Sequence, residues 1–216
     1  MHAARIIRDP AEVADRLSMF GVTAEEFIPL IEAVVAAKND VVAVDARTAS
    51  GSKAYFAGVR HKRLLFLPKG WEMDSTGGVE SVYHPDTGIR IVYQSVDEAC
   101  ISFRGPQPVS TKGPASEAAI KTAQGELFRE DEAPEVPPER IARLNSTVWF
   151  LCVSINHQDP DDVRAELALP AAIDRGHFKG FLERIFIVNF GDWNSRGSVA
   201  KRPDDDDPYE FSIARK

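Results

Sequence analysis

Apolar residues recur every three or four positions through the first 40 residues and every second position beyond about residue 79, so helices precede strands. Asp9 and Pro10 form an N-cap and first-turn pair, and Val13, Leu17 and Phe20 follow at i, i+4 and i+7. Gly21 ends that helix. Thr23 and Glu26 are spaced as a capping box, in which a hydroxyl and a carboxylate each satisfy a backbone N–H left over at the helix start. Phe27, Leu30, Ile31, Val34 and Val35 then make an apolar stripe. Pro29 inside it predicts a kink or a delayed start, and Asn39-Asp40 closes the helix. Val41 to Val44 suit either a short strand or a continuation of the helix. Phe56, Val59, Leu64 and Leu67 are spaced roughly as a helix face, which Pro68 and Gly70 would end.

Beyond Trp71 the period shortens. Val79, Ser81 and Tyr83 alternate with Glu80 and Val82, His84-Pro85-Asp86-Thr87-Gly88 is turn chemistry, and Ile89, Ile91 and Tyr93 alternate again, which predicts a β-hairpin. Ile101 and Phe103 suit a third strand. Residues 104–140 gather Pro106, Pro108, Pro114, Pro134, Pro137, Pro138 and the acidic run Glu130-Asp131-Glu132. They read as a linker with one helix, Ala115 to Phe128, and as the stretch proteases should cut first. Thr147 to Ile155 is almost wholly apolar and β-rich, as a strand covered on both faces must be. Val163, Ala165, Leu167 and Leu169 alternate with Arg164 and Glu166, a half-buried strand stopped by Pro170. Phe181 to Phe190 is a further strand, and the chain closes on an acidic tail around Asp204 to Asp207.

The expected fold is therefore α+β, N-terminal helices packed on a mainly antiparallel sheet. Residues 1–103 supply a helical hairpin and a β-hairpin, 104–140 a proline- and charge-rich linker, and 141–216 a β-rich region with an acidic tail. The first and last of these could share one domain.

An apolar share of 44% and a charged share of 27% are ordinary for a globular protein. No apolar run approaches the roughly 18–20 residues that cross a bilayer, and the N-terminus lacks a secretory apolar stretch. Two isolated cysteines, Cys100 and Cys152, offer neither a disulfide framework nor a metal spacing, which suits a reducing cytoplasm. The net charge of −7 disfavours nucleic acid as the main ligand. The basic cluster Arg60-His61-Lys62-Arg63 runs against that trend, with Tyr55 and Trp71 near enough to stack on a base. Arg60, Lys62, Arg63 and Trp71 are accordingly the candidate binding residues. The plainer reading makes the cluster the solvated face of a helix whose other side is Val59, Leu64 and Leu67.

Catalysis would need groups that converge. Asp86, Glu166 and Glu183 are the carboxylates a metal-dependent hydrolase or nuclease could use. Pro85-Asp86 before a glycine is common turn chemistry, however, and Glu166 and Glu183, beside Arg164 and Arg184, fit a cross-strand charge ladder on a solvent face. His61, His84, His157 and His177 stand in four separate segments without metal spacing, and no phosphate loop or serine elbow occurs. Neither cofactor nor metal is expected.

Several short strings lie in order along the chain: Val59-Arg60 with Arg63, Leu67 and Gly70-Trp71; Pro85-Asp86-Thr87-Gly88-Ile89; Lys112-Gly113-Pro114; Ala165-Glu166-Leu167-Ala168-Leu169-Pro170; and Glu183-Arg184-Ile185. Together they resemble a family of uncharacterised bacterial proteins scattered in the manner of mobile elements. The resemblance implies one architecture and a bacterial cytoplasmic setting, and it brings no activity. The function expected is non-enzymatic: a binding or accessory protein whose partner is another protein. A hydrolase or nuclease is the alternative, and the oligomeric state is not legible.

Overall fold

The computed structural model describes residues 4–110 and 147–194. Among the described residues three α-helices lie on one face of a seven-stranded mixed sheet, an α+β fold. The first strand, β1 (Arg5–Ile7), leads into α1 (Pro10–Ser18). Asp9 starts that helix by accepting the N–H groups of Ala11 and Glu12 at 3.0 and 3.2 Å, and Val13 and Leu17 face inward. The second helix, α2 (Ile28–Asn39), starts late, after a 3₁₀ turn at Glu25–Phe27. Pro29 thus falls in the first helical turn, where a missing N–H removes no bond. Glu26 accepts the Thr23 N–H, the carboxylate half of the expected box. Its other oxygen meets Lys69 at 2.8 Å, and that bond, ahead of the one from Thr23, holds Glu26 below its ordinary pKa.

Val41 to Val44 form neither strand nor helix. They make an exposed turn in which the Asp45 carboxylate takes the Val42 N–H and Lys53 reaches back to Asp40 and Asp45. The long helix α3 (Ala49–Phe66) follows and runs into a 3₁₀ turn, Leu67–Lys69, that Gly70 ends at φ 85°.

The remaining strands are β2 (Glu72–Asp74), β3 (Ser81–His84), β4 (Ile89–Ser95), β5 (Thr147–Ile155), β6 (Val163–Pro170), β7 (Ile173–Asp174), β8 (His177–Phe178) and β9 (Phe181–Val188). The main sheet has the order β1-β9-β6-β5-β4-β3-β2, and β7 and β8 form a small separate hairpin. Its pairs are antiparallel except β4 with β5 and β1 with β9. The β4–β5 register, Ile89 opposite Thr147 through Ser95 opposite Val153, puts the strands before and after residues 104–140 side by side. Most of that stretch, with the Ala115 to Phe128 helix and the tail around Asp204 to Asp207, lies outside the described residues.

The sheet separates two apolar layers. Leu17, Phe27, Ile31, Val34, Phe66 and Trp71 meet Ile91, Tyr93, Trp149, Leu151, Leu167 and Ile185 on the helix side. Val92, Phe150, Cys152, Ala168, Phe178 and Phe181 cluster on the other. β5 is buried on both faces, as its apolar run requires. β6 departs from the half-buried strand its alternation predicts, because Arg164 and Glu166 are buried in ion pairs instead of meeting solvent. Ile101 and Phe103 form no strand. Residues 97–107 cross the second face as a loop, closed by a single bridge between Val96 and Pro108. No helix among the described residues is long and apolar enough to cross a membrane.

Candidate interaction surface

Side chains alternate between the two faces of a strand, and that alternation separates the three candidate carboxylates. Glu166, on β6, turns away from the helices and is 0% exposed. Its two oxygens take the Arg184 guanidinium in a fork, each at 2.7 Å, and one also accepts the Cys100 N–H. Arg184 spends its third nitrogen on the carbonyls of Ile101 and Arg104, at 2.8 and 3.2 Å. Glu183, on β9, stands on the helix face and pairs with Arg16 of α1, whose guanidinium lies 5.6 Å from the Trp149 ring centroid. Asp86 sits exposed in the turn between β3 and β4. The three therefore occupy two faces and a turn. A carboxylate closed to solvent and engaged by three donors, as Glu166 is, offers no surface to a substrate. Among the described residues no group of three or more His, Cys, Asp or Glu side chains could hold a metal ion.

Consecutive helical residues point about 100° apart, so the four residues of the basic cluster cannot share one direction. Arg60 reaches solvent. Lys62 is fully buried and donates to the Glu80 carbonyl at 2.9 Å, while Arg63 pairs with the Glu80 carboxylate. Trp71 is also buried, edge-on to Phe66 and His84 with ring centroids 4.8 and 5.1 Å away. Of the four candidate binding residues only Arg60 faces outward, and the other three hold α3 and the start of the sheet together.

Arg60 does not stand alone there. Phe56 and Leu64, one helical step of four residues to either side of it, are 64% and 61% exposed. Tyr55 leans against Phe56 and against Tyr93 of β4, with centroids 6.0 and 6.4 Å apart. The turn before α3 adds the exposed Val42 and Val44, and Lys53 ties that turn to the helix through Asp40 and Asp45. Arg47 and Arg60 form no ion pair with any described residue. The spacing of Phe56, Val59, Leu64 and Leu67 suggested one inward face. Instead the helix buries Ala54, Gly58, Val59, Lys62 and Phe66 and leaves Phe56 and Leu64 outside. The signal lay in the small residues at 54 and 58, which let a helix approach a sheet closely. A Cβ added at Gly58 would stand 2.5 Å from the Tyr93 ring.

A cleft of about 250 Å³ opens beyond the carboxyl ends of β4 and β5, lined by Asp97, Glu98, Ser154, Asn156, His157, Asp162 and Arg164. Its charges largely satisfy one another. Asp162 takes the Arg164 guanidinium at 2.6 and 2.7 Å, which holds that carboxyl below the usual range, and Arg104 reaches both Asp97 and Glu98. One wall belongs to the loop 97–107. The Gln107 side chain exchanges two hydrogen bonds with the Phe178 backbone, and Gly105 abuts the Phe181 ring. Cys100 adopts a left-handed φ of 57°, and burial pushes its thiol well above the ordinary cysteine pKa. From this anchored loop Phe103 projects 93% exposed.

No family model, no curated protein and no solved structure matches this chain.

Proposed function

We propose that this protein acts by binding another protein, through the outward stripe of α3 and the turn before it. The observation that supports this reading is the run Phe56, Arg60 and Leu64, two large apolar side chains in water around a guanidinium that has no carboxylate partner among the described residues. Burying either apolar side chain is worth about 1.5–3 kcal/mol, so a partner covering both would gain a substantial free energy. Aromatic and arginine anchors set together are the composition of interface hot spots. Arg47 and Arg60 favour a partner that offers carboxylates, and the chain's net charge of −7 weighs against nucleic acid. The setting that fits is a bacterial cytoplasm, with the protein an accessory of the cell or of a mobile element. A hydrolase or nuclease built on Asp86, Glu166 and Glu183 finds no support in their arrangement, since such chemistry needs them converging on one metal or water.

The test is a double substitution, Phe56→Ser with Leu64→Ser, in the immobilised full chain exposed to lysate of the source bacterium. Proteins retained by the unaltered chain should be lost from the double variant and kept by Leu182→Ser, which removes an exposed leucine elsewhere. Retention of the same proteins by a folded double variant overturns the proposal.

A further inference from the structure

We infer that the α3 stripe receives a second copy of this chain, docking through Phe103 and the acidic end of the sheet. The inference rests on the reading of α3 as a docking surface.

The phenylalanine is presented, not merely left over. On either side of it the carbonyls of Ile101 and Arg104 are held by one guanidinium, that of Arg184, which Glu166 fixes in turn. Ahead of it Glu166 takes the Cys100 N–H, and behind it Gln107 is bonded to Phe178. A side chain 93% exposed on a backbone pinned at so many points loses little conformational freedom when a partner takes it up.

The charges around the two surfaces match. Beside the Phe103 loop, across the cleft, the turn after β5 carries Asp159 and Asp161, both exposed and without an ion pair among the described residues. Arg60 stands between Phe56 and Leu64, and Arg47 lies in the turn that leads into α3, likewise without an ion pair among the described residues. An apolar projection beside two carboxylates thus has its counterpart in an apolar stripe beside two guanidiniums. Phe103 cannot reach α3 of its own chain, because α3 packs on the helix face of the sheet and the loop 97–107 packs on the other. The contact joins unlike surfaces of two copies, so it propagates head to tail unless the rotation between copies closes a ring.

Sedimentation velocity of the full chain from low micromolar to near-millimolar concentration tests the idea. The weight-average mass should rise above that of one chain, and Phe103→Ser should weaken the association at least about tenfold, as should Phe56→Ser with Leu64→Ser. Mixed in equal amounts, these two variants should form a species of two chains and no more, because one intact loop then meets one intact stripe. Circular dichroism melts of each variant establish that the fold is retained. A chain monomeric at every concentration overturns the inference, as does association that survives both changes or variants that fail to pair when mixed. A monomeric chain that still captures another protein through Phe56 and Leu64 defeats self-docking and leaves the docking reading standing. Indifference of both assays to the α3 changes defeats both.

Discussion

Glu166 and Glu183 differ by what surrounds them more than by what they are. Glu166 is closed to solvent with Arg184, whereas the side chains of Glu183 and Arg16 are 13% and 22% exposed. Glu166→Gln leaves a buried guanidinium uncompensated and should cost about 3–5 kcal/mol in urea unfolding. Glu183→Gln should cost about 1 kcal/mol or less. The reverse order would contradict the burial assigned to the two ion pairs. Tyr93 gives a second reading on the same core. Burial pushes its hydroxyl up to about 12, from an ordinary value near 10. The folded chain keeps this proton where the unfolded chain sheds it, so the associated stability is complete below about pH 10 and disappears between pH 10 and 12, on the order of 2–3 kcal/mol. Tyr93→Phe should make the loss of stability across that window shallower. At this scale the sequence revealed residues whose work is local: Asp9 as a cap and Pro29 at a helix start. It concealed the burial of Glu166, because the loop that covers it, with Cys100, comes from a segment far along the chain.

Among the elements, α3 is the one whose surroundings decide the function proposed. Its approach to the sheet depends on Gly58, whose Cα lies against the ring of the buried Tyr93. Gly58→Ala would ordinarily favour a helix, yet here the added methyl meets a ring with no room to withdraw, and a cost of about 1–3 kcal/mol is expected. A thermal melt at or above that of the unaltered chain would show that α3 stands off the sheet. The helix and its end were legible, since Pro68 and Gly70 are local stops. Which face it buries was not, because Phe56 and Leu64 are as apolar as core residues and only the sheet beneath decides which small residues turn inward. The same limit applies to β1 and β2, three residues each, too short to carry a period. It applies also to Ile101 and Phe103, whose apolar character suggested a strand that no neighbour pairs with.

At the scale of the molecule, alternation and the apolar run of residues 147–155 gave the α+β class, helices on a mainly antiparallel sheet. The parallel contacts β1–β9 and β4–β5 were invisible, since partner choice is set by loop paths and not by the strand's own residues. Trp71 and Trp149 lie in the one apolar layer that joins helices to sheet. Their fluorescence and the far-ultraviolet circular dichroism should therefore change together on unfolding, and separated transitions would show that the layers fold independently. The outer stripe of α3 is proposed as the place where this protein meets another. The most direct test of that proposal is a photo-crosslinking amino acid placed at position 56 in living cells, with position 182 as the control. A discrete adduct formed from position 56 and absent from 182 is the predicted result; an adduct from 182 alone, or from neither, would contradict it.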